Sequence, residues 1–190
     1  MTRLTIENLV NLVDTDLLDN NTGDITPAIL RAVLSSMVES MSPTIAMAAG
    51  SSVPGVAIPL TTTPVKLPGS FFTTFVTGNA SFMEGRPAPE GDIILHTDVG
   101  RLHTNFDVTF QVANGVDIAF TLAKNGVVLP FRSVVTGRGA GNQVSTSFSW
   151  LFESIVPGDT VDIWASALTG APTITLFGAA IKGILLPQFA

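Results

Sequence analysis

Apolar and polar positions alternate along most of the chain from about residue 71 to its end. In NFDVTFQV (105–112), VDIAFTLA (116–123) and SFSWLF (147–152), every second residue is a large apolar one. Because successive side chains of a β-strand point to opposite faces, this period of two predicts strands that bury one face. The apolar residues of these three segments are Phe106, Val108, Phe110, Val112, Ile118, Phe120, Leu122, Phe148, Trp150 and Phe152.

Turn signals separate eight β-rich runs of this kind. The dipeptides Asn114-Gly115 and Asn125-Gly126 are favoured in tight hairpin turns. The runs are FFTTFVTG, DIILHT, TNFDVTFQVANG, VDIAFTLAKNG, VVLPFRSVV, QVSTSFSWLFESIV, TVDIWASALTG and PTITLFGAAIKGILL. Their number and regular spacing predict an all-β fold, an antiparallel jelly-roll sandwich over residues 71–190.

A helical period replaces the alternation near the start of the chain. Thr26 and Pro27 suit the N-cap and the first position of a helix, and Ser42-Pro43 suits its end. Between them, apolar residues recur with the i, i+3, i+4 spacing of one helix face. These residues are Leu30, Val33, Leu34, Met37, Val38 and Met41. The stripe either packs on the chain's own domain or docks on another subunit or protein. We assign it an attachment and assembly role.

Residues 44–70 are rich in Ala, Gly, Ser, Thr and Pro, as in AMAAGSSVPG and PLTTTPVKLPG. This composition indicates a linker or an extended arm with short edge strands. A free linker is usually more polar, so we expect the arm to lie against a surface. The predicted division is a helical attachment segment over 1–52, an arm over 53–70 and a jelly-roll domain over 71–190.

The chain is unusually apolar and carries few charges. Of its 190 residues, 46% are hydrophobic and only 13% are charged, and the mean hydropathy is +0.46. A monomer of this composition would expose apolar surface, so we expect another copy of the chain to cover it. The net charge of −6 and the scattered basic residues argue against a nucleic-acid or anionic membrane surface. No uncharged apolar run reaches the ~18–20 residues of a membrane span.

Potential metal ligands are few. His96 and His103 could be drawn as a metal site with Asp92, Asp98 and Asp107, but their spacing fits no helical His-x3-His pattern. We therefore favour satisfied or exposed side chains and predict no metal. The sequence contains no cysteine, which excludes thiolate ligands and disulfides.

No catalytic constellation stands out either. A serine hydrolase would need a nucleophile on a strained turn, and no G-x-S-x-G motif occurs. GRGAGN (137–142) lacks the G-K-[ST] ending of a phosphate loop and is interpreted as a loop between strands. The carboxylates at 107, 117, 159 and 162 are expected to be solvated at strand edges, without a pair held across a sugar. Trp150 and Trp164 are assigned to the core or an interface. We predict no enzyme and no cofactor.

Four segments resemble the C1q/TNF-like jelly-roll superfamily in order and spacing. They are NFDVTFQV, IAFTLAKNGVVL with its Lys-Asn-Gly turn, LFESIVPGDTVDIWA with Gly158-Asp159, and ITLFGAAIKGIL with Phe177-Gly178, spanning roughly 100–186. Members of that superfamily are typically trimers that pack the apolar residues of one sheet around a threefold axis. The resemblance therefore implies a homotrimer, which would account for the high hydropathy. The collagen-like stalk of the C1q proteins has no counterpart here.

The helical segment resembles a different group of proteins. NNTGDIT and the pattern ITPAILRAVLSSMVES are similar to N-terminal segments of bacteriophage virion proteins that carry compact β-heads. The two resemblances together imply a phage virion structural protein, a homotrimeric capsid decoration protein of the cement or head-fibre type. Its expected partners are itself and the major capsid protein or another virion protein. Its expected location is the virion, assembled in the host cytoplasm.

A small tail-fibre or receptor-binding protein is the alternative. In that interpretation the loops at 84–91 and 136–142 recognise a glycan or protein receptor on the host surface. The sequence favours decoration, because 190 residues without repeats or a coiled coil leave no room for a fibre shaft.

Overall fold

Two antiparallel β-sheets pack face to face, as the alternation predicts. The computed structural model describes residues 29–34, 37, 44–77, 83–86, 88–96, 101–139 and 141–186. Residues 29–34 are helical, and a 3-10 turn spans Gly69–Phe71. The strands are β1 (Thr44–Pro59), β2 (Val65–Lys66), β3 (Thr74–Thr77), β4 (Met83–Arg86), β5 (Asp92–Leu95), β6 (Arg101–Gln111), β7 (Asp117–Lys124), β8 (Val127–Val128), β9 (Ser133–Thr136), β10 (Val144–Phe152), β11 (Thr160–Ala167) and β12 (Thr173–Leu186). The predicted all-β sandwich is confirmed.

Strand order shows the jelly-roll arrangement. The five-stranded sheet has the order β10-β6-β12-β1-β3. The seven-stranded sheet has the order β4-β5-β11-β7-β8, with β2 and β9 pairing to β11 and β7. From β5 to β7 and from β9 to β12, consecutive strands lie in opposite sheets, so the chain crosses the core repeatedly.

Phenylalanine rings from both sheets fill the centre of the core. Phe106 and Phe110 of β6 lie 6.5 and 4.9 Å from Phe120 of β7, measured between ring centroids. Phe148 of β10 lies 5.9 Å from Phe106. The three rings of β6 and β7 are fully buried, and each contributes roughly 1.5–3 kcal/mol by leaving water. This packing confirms the face predicted for β6 and the shared face of β10.

Strand β7 differs from the prediction, because both of its faces are buried. Ala119, Thr121 and Ala123 lie opposite the predicted core face and are at most 5% exposed. The segment after β8 contacts this second face, where the Thr121 hydroxyl donates to the carbonyl oxygen of Phe131 at 2.6 Å. A period-two pattern identifies the core face of a strand but carries no information about a segment that packs on the other one.

Residues 44–59 form a strand inside the five-stranded sheet, although their composition predicts an arm. β1 pairs with β12 along its length, with one irregular stretch, and with β3 on its other side. Small residues are required here because the chain packs tightly. Ala46 and Ala48 are fully buried, and a Cβ at Gly50 would collide with the carbonyl oxygen of Phe71.

This strand changes the domain division. The predicted arm over 53–70 contains the end of β1 and all of β2, which pairs with β11 in the seven-stranded sheet. The jelly roll therefore begins at β1 and not at residue 71. The attachment role assigned to residues 1–52 stays a prediction, since most of that segment lies outside the described residues.

Different strand ends and loops lie at the two ends of the sandwich. At the proximal end, β1 begins shortly after the helical residues 29–34, beside the end of β12 and the start of β6. At the opposite, distal end, β1 finishes beside the start of β12. The turns at 112–116 and 168–172 and the loop residues 137–139 and 141–143 lie at this distal end.

Candidate functional site

The predicted attachment stripe is exposed only in part. Leu30 and Leu34 are 43% and 51% exposed, whereas Val33 is 1% exposed and Met37 is half-buried. Leu30 and Leu34 are four residues apart, so they lie on one side of the helix and form a small apolar patch. Val33 is covered by the chain itself. The stripe residues that lie outside the described residues are Val38 and Met41. The role of the stripe stays a prediction.

The outward face of the five-stranded sheet changes from apolar to polar along its strands. Near the proximal end, Ile45, Ile184, His103 and Leu151 lie in one row across β1, β12, β6 and β10. The next two rows are Met47–Lys182–Asn105–Ser149 and Ala49–Ala180–Asp107–Ser147. We name these three rows the assembly face. The first row is apolar apart from His103, and the other two combine apolar residues with polar ones. Such a mixture of apolar and polar side chains occurs at protein interfaces.

Several polar side chains on the assembly face have no partner among the described residues. Among the described residues, Asn105, Asp107 and Lys182 make no side-chain hydrogen bond or ion pair. Asn105 and Lys182 are also half-buried. A polar group that loses hydration without gaining a hydrogen bond costs free energy, unless another molecule supplies the partner. The assembly face therefore has the character of one half of an interface.

A second apolar surface lies at the edge of the sandwich, between β9 and β10. Phe131 is 52% exposed and stacks on Trp150, with ring centroids 4.6 Å apart and an interplanar angle of 27°. Trp150 also lies nearly parallel to Phe148, at 6.4 Å. The three rings cover the core along the proximal half of this edge. Trp150 is thus a half-buried rim residue of the core.

The two short motifs of the superfamily resemblance meet in space at the proximal end. Asn125 and Gly126 have φ angles of 52° and 75°, the positive values that a type I′ turn requires. The Asn125 amide donates to the Asp159 carboxylate at 2.6 Å and accepts from the Thr160 amide at 2.8 Å. The ammonium of Lys124 lies 2.7 Å from Asp159. The Lys-Asn-Gly turn and the Gly-Asp pair are therefore two halves of one hydrogen-bonded junction.

The electrostatics of this junction favour a charged carboxylate. Burial alone would raise the pKa of Asp159, which is 3% exposed. Hydrogen bonds from Lys124, Asn125 and the Val156 amide outweigh burial and hold the pKa of Asp159 below its usual value. The junction is thus stabilised by the ionised form of Asp159.

A network of four charges lies on the outward face of the seven-stranded sheet. Lys66 of β2 lies 2.8 Å from Asp162 and 3.2 Å from Asp92. Arg86 of β4 donates to Asp92 through two nitrogens, at 2.7 and 2.8 Å. The indole N–H of Trp164 donates to Asp162. The network joins β2, β4, β5 and β11, and its two cations balance its two carboxylates.

The prediction that Asp159 and Asp162 are solvated at strand edges is wrong, because neither is more than 4% exposed. Burial raises the pKa of Asp162, and its hydrogen bond with Lys66 and the charge of Lys66 offset only part of that rise. For Lys66, burial lowers the pKa, but the hydrogen bond to Asp162 and the nearby carboxylate charges outweigh it. These contacts join residues far apart in the sequence, such as Lys66 and Asp162, so no local pattern could reveal them.

The two histidines do not converge with Asp92 and Asp107, and Asp98 lies outside the described residues. His96 lies 3.5 Å from Glu84 beside the seven-stranded sheet, whereas His103 belongs to β6 of the other sheet. Asp92 is held by Arg86 and Lys66. Within the described ranges, no group of three His, Asp or Glu side chains could hold a metal ion. The part of the chain that the structure describes also contains no helix long and apolar enough to cross a membrane.

The two loops of the receptor-binding alternative differ in their surroundings. Of the predicted loop at 84–91, residues 84–86 belong to β4, and Arg86 is part of the charge network, while Pro89 packs closely against Gly69. Loop 136–142 borders an open groove of about 580 Å³. The second loop is therefore the better candidate for a ligand site.

No protein-family model and no curated protein matches the chain. Among solved structures, the globular domain of zebrafish complement 1qA protein is similar with a TM-score of 0.52 and 11% identity, over 78% of this chain and 100% of that one. Murine APRIL at pH 5.0 has a TM-score of 0.51 and 12% identity, over 76% of this chain and 100% of that one. At such identities the likeness establishes the fold alone. The chain has a C1q/TNF-like jelly-roll fold.

Proposed function

We propose that the chain is a homotrimeric structural protein of a bacteriophage virion, a capsid decoration protein of the cement or head-fibre type. In this role it binds the particle surface and stabilises it. The observation that carries the proposal is the assembly face, where an apolar row adjoins half-buried polar groups without partners among the described residues. Such a face is incomplete in one copy of the chain.

A trimer would complete the assembly face. The superfamily resemblance implies threefold packing of one sheet's apolar residues, and the outward face of the five-stranded sheet carries Ile45, Leu151 and Ile184. Neighbouring copies would cover these side chains and would supply partners to Asp107 and Lys182. The low charged fraction of the chain agrees with a subunit that has much of its surface in contacts.

Attachment to the particle is assigned to residues 1–52. The helical residues 29–34 precede β1 at the proximal end and expose Leu30 and Leu34. Attachment through this segment would leave the distal loops on the side away from the segment. A virion role rests on the resemblance of ITPAILRAVLSSMVES to phage virion proteins together with this polarity of the head.

Light scattering during size exclusion tests the trimer. One chain has a mass of 19.9 kDa, so a closed homotrimer would give about 60 kDa. A single species of about 20 kDa at micromolar concentration would contradict the trimer and the role of the assembly face. A dimer of about 40 kDa would retain the face as an interface but reject the threefold arrangement.

Attachment can be tested with an exposed pair of stripe residues. The double variant Leu30→Asp, Leu34→Asp should keep the β-head folded, as judged by circular dichroism, but lose binding to particles that lack the protein. Val33 is a poor target because it is covered by its own chain. The matched control is Val127→Asp, an equally drastic change at a position that is 71% exposed in β8. Full binding by the double variant would contradict docking through the stripe.

A small tail-fibre or receptor-binding protein is the second candidate function. The observation in its favour is the groove beside loop 136–142, at the distal end of the head. Copy number separates the two functions, with on the order of hundreds per particle for decoration and tens or fewer for a tail tip. Quantitative mass spectrometry of purified particles measures this number.

A further inference from the structure

The distal half of the edge between the two sheets opens into a groove. β10 is the outermost strand of the five-stranded sheet, and β9 pairs with β7 in the other sheet. The two strands meet where the hydroxyls of Ser133 and Thr146 lie 2.6 Å apart. Beyond this contact, β9 and β10 border a volume of about 580 Å³, within the ~300–1,000 Å³ usual for ligand sites.

Backbone hydrogen bonds hold one wall of the groove in place. The amide of Gly137 donates to the carbonyl oxygen of Val116 at 2.8 Å, and its own carbonyl accepts from Gly115 at 3.0 Å. The side-chain amide of Asn142 donates to the carbonyl oxygen of Arg138 at 3.2 Å. A wall that is fixed before a ligand arrives loses little conformational freedom on binding.

The groove lies in the most basic stretch of an acidic chain. No Asp or Glu occurs between Asp117 and Glu153, although the chain has 15 acidic residues. Arg132 and Arg138 flank β9, and both are exposed and make no ion pair among the described residues. The carboxylate of Asp117, at the distal end of β7, accepts a hydrogen bond from Thr136. Of these two arginines, Arg138 lines the groove, whereas Arg132 lies at the other end of β9.

We propose that this groove binds a carboxylated saccharide, such as a glycan that contains a uronic or sialic acid. Arg138 pairs with the sugar carboxylate, because a guanidinium matches a carboxylate with two parallel hydrogen bonds. The Gln143 amide, which also lines the groove, binds sugar hydroxyls, and the Thr136 oxygen, whose hydrogen is donated to Asp117, accepts from one. Val135 and Val144 supply apolar surface against which the C–H face of a sugar ring packs.

An acidic peptide that pairs with the edge of β9 is the competing occupant. The lining favours a sugar, because guanidinium, amide and hydroxyl side chains surround the groove. β9 itself has only four residues, Ser133–Thr136, and so presents a short edge for strand addition. The saccharide site goes beyond the assembly function, and a trimer on a capsid or on a tail could carry it equally well.

Calorimetric titration of the full chain tests the proposal with two matched ligand pairs. The first pair is trigalacturonate and its methyl ester, which retains every ring hydroxyl but has no charge, and the second pair is sialyllactose and lactose. We expect at least one acidic ligand to bind about tenfold or more tightly than its neutral match. Arg138→Ala should reduce that affinity about tenfold, the loss of one charge-assisted contact. The control Arg101→Ala changes an exposed arginine of β6 at the proximal end and should bind normally.

Several outcomes would overturn the saccharide site. These are equal binding of acidic and neutral ligands, normal binding by Arg138→Ala, and no binding of either acidic ligand. Competition by inorganic phosphate at the sugar's own concentration would reduce the groove to a general anion site. Binding of a glutamate-rich peptide with amide shifts along β9, but no binding of sugars, would assign the groove to a peptide. Light scattering on the same samples reports assembly separately, so failure of this site and failure of the trimer are distinguishable.

Discussion

Charged residues on the outward face of one sheet are paired within the chain, whereas those on the outward face of the other sheet have no partner among the described residues. On the seven-stranded sheet, Lys66 and Arg86 contact carboxylates of the same chain at 2.7–3.2 Å. On the five-stranded sheet, Lys182 and Asp107 make no such contact among the described residues. Both faces are built from alternating strands, so the alternation does not distinguish them. The difference is that two short strands, β2 and β4, supply the cations that pair with the carboxylates of the seven-stranded sheet.

This difference marks the face at which we propose that assembly occurs. A face whose buried charges are paired within the chain needs no second molecule, because each desolvated group already has its partner. A face with half-buried polar groups and no internal partners gains stability only from a second molecule. Substitutions on the two faces should therefore have different kinds of effect, on assembly for one and on folding for the other.

The largest effect is expected from Ile184→Asp on the assembly face. Ile184 lies between Ile45 and His103 in the apolar row, so the variant places an unpaired carboxylate within the proposed interface. We expect the mass by light scattering to fall from about 60 kDa to about 20 kDa, the mass of one chain. Val127→Asp, at an exposed position of the other sheet, should leave the mass unchanged. A trimer of Ile184→Asp would show that the threefold contacts lie elsewhere.

On the other face, Asp92→Asn should reduce folding stability without changing assembly. The variant removes the carboxylate that pairs with both Arg86 and Lys66. We expect a loss of about 2–3 kcal/mol in the free energy of unfolding, below the fully buried case because the two cations are 28% and 31% exposed. Urea denaturation of the monomeric Ile184→Asp background measures it.

The matched substitution in that background is Asp107→Asn on the assembly face. Its carboxylate has no partner within the described residues, so we expect a change within about 0.5 kcal/mol. Similar losses for the two variants would remove the distinction between the faces.

The pH dependence of stability should come in part from Asp159. Because its pKa is lowered on folding from the ordinary 3.8, its ionised form contributes stability that is complete above that value. That contribution decreases as the pH falls through the folded pKa. Asp162 has the opposite sign, since its raised pKa gives a penalty at higher pH that is relieved on acidification.

We therefore expect Asp159→Asn to flatten the loss of stability on acidification below about pH 4. Asp162→Asn should act above about pH 4, where it removes the gain in stability that the wild-type chain makes as the pH falls through the raised pKa of Asp162. Urea denaturation between about pH 2 and pH 6 measures both slopes. An unchanged acid slope in Asp159→Asn would contradict the role of the junction with Lys124 and Asn125.

Some of this architecture follows from the sequence, and the reason is local. β6 and β10 contain large apolar residues at most second positions, so the sequence predicts these strands. Asn125-Gly126 readily adopts the positive φ angles of a tight turn, so the sequence predicts this turn as well. The first half of β1 could not be predicted, because its buried positions include Ala46 and Ala48 and no large apolar residue. Small residues differ little in hydrophobicity from the residues beside them, so a tightly packed strand made of them has the same composition as a linker.

The candidate surfaces were less predictable than the fold. The helical period correctly marked a helix at residues 29–34, but it could not show that Val33 is covered while Leu30 and Leu34 are exposed. The assembly face is defined by residues on four strands, and only the register between strands brings Lys182 beside Asn105. A contact that depends on register is not visible in any one segment.

The last comparison contrasts two neighbouring residues of β6. The Thr104 hydroxyl is buried in the core without a partner among the described residues, whereas Asn105 points to the assembly face. Thr104→Val removes a desolvated hydroxyl and loses no hydrogen bond, so it should stabilise the fold by about 0.5–1 kcal/mol. Asn105→Val should instead weaken the trimer, if a neighbouring copy supplies the partner that this amide lacks. Thermal unfolding and concentration-dependent light scattering separate the two effects. A trimer that Asn105→Val leaves equally stable would mean that the amide stays unpaired there too, like the core hydroxyl beside it.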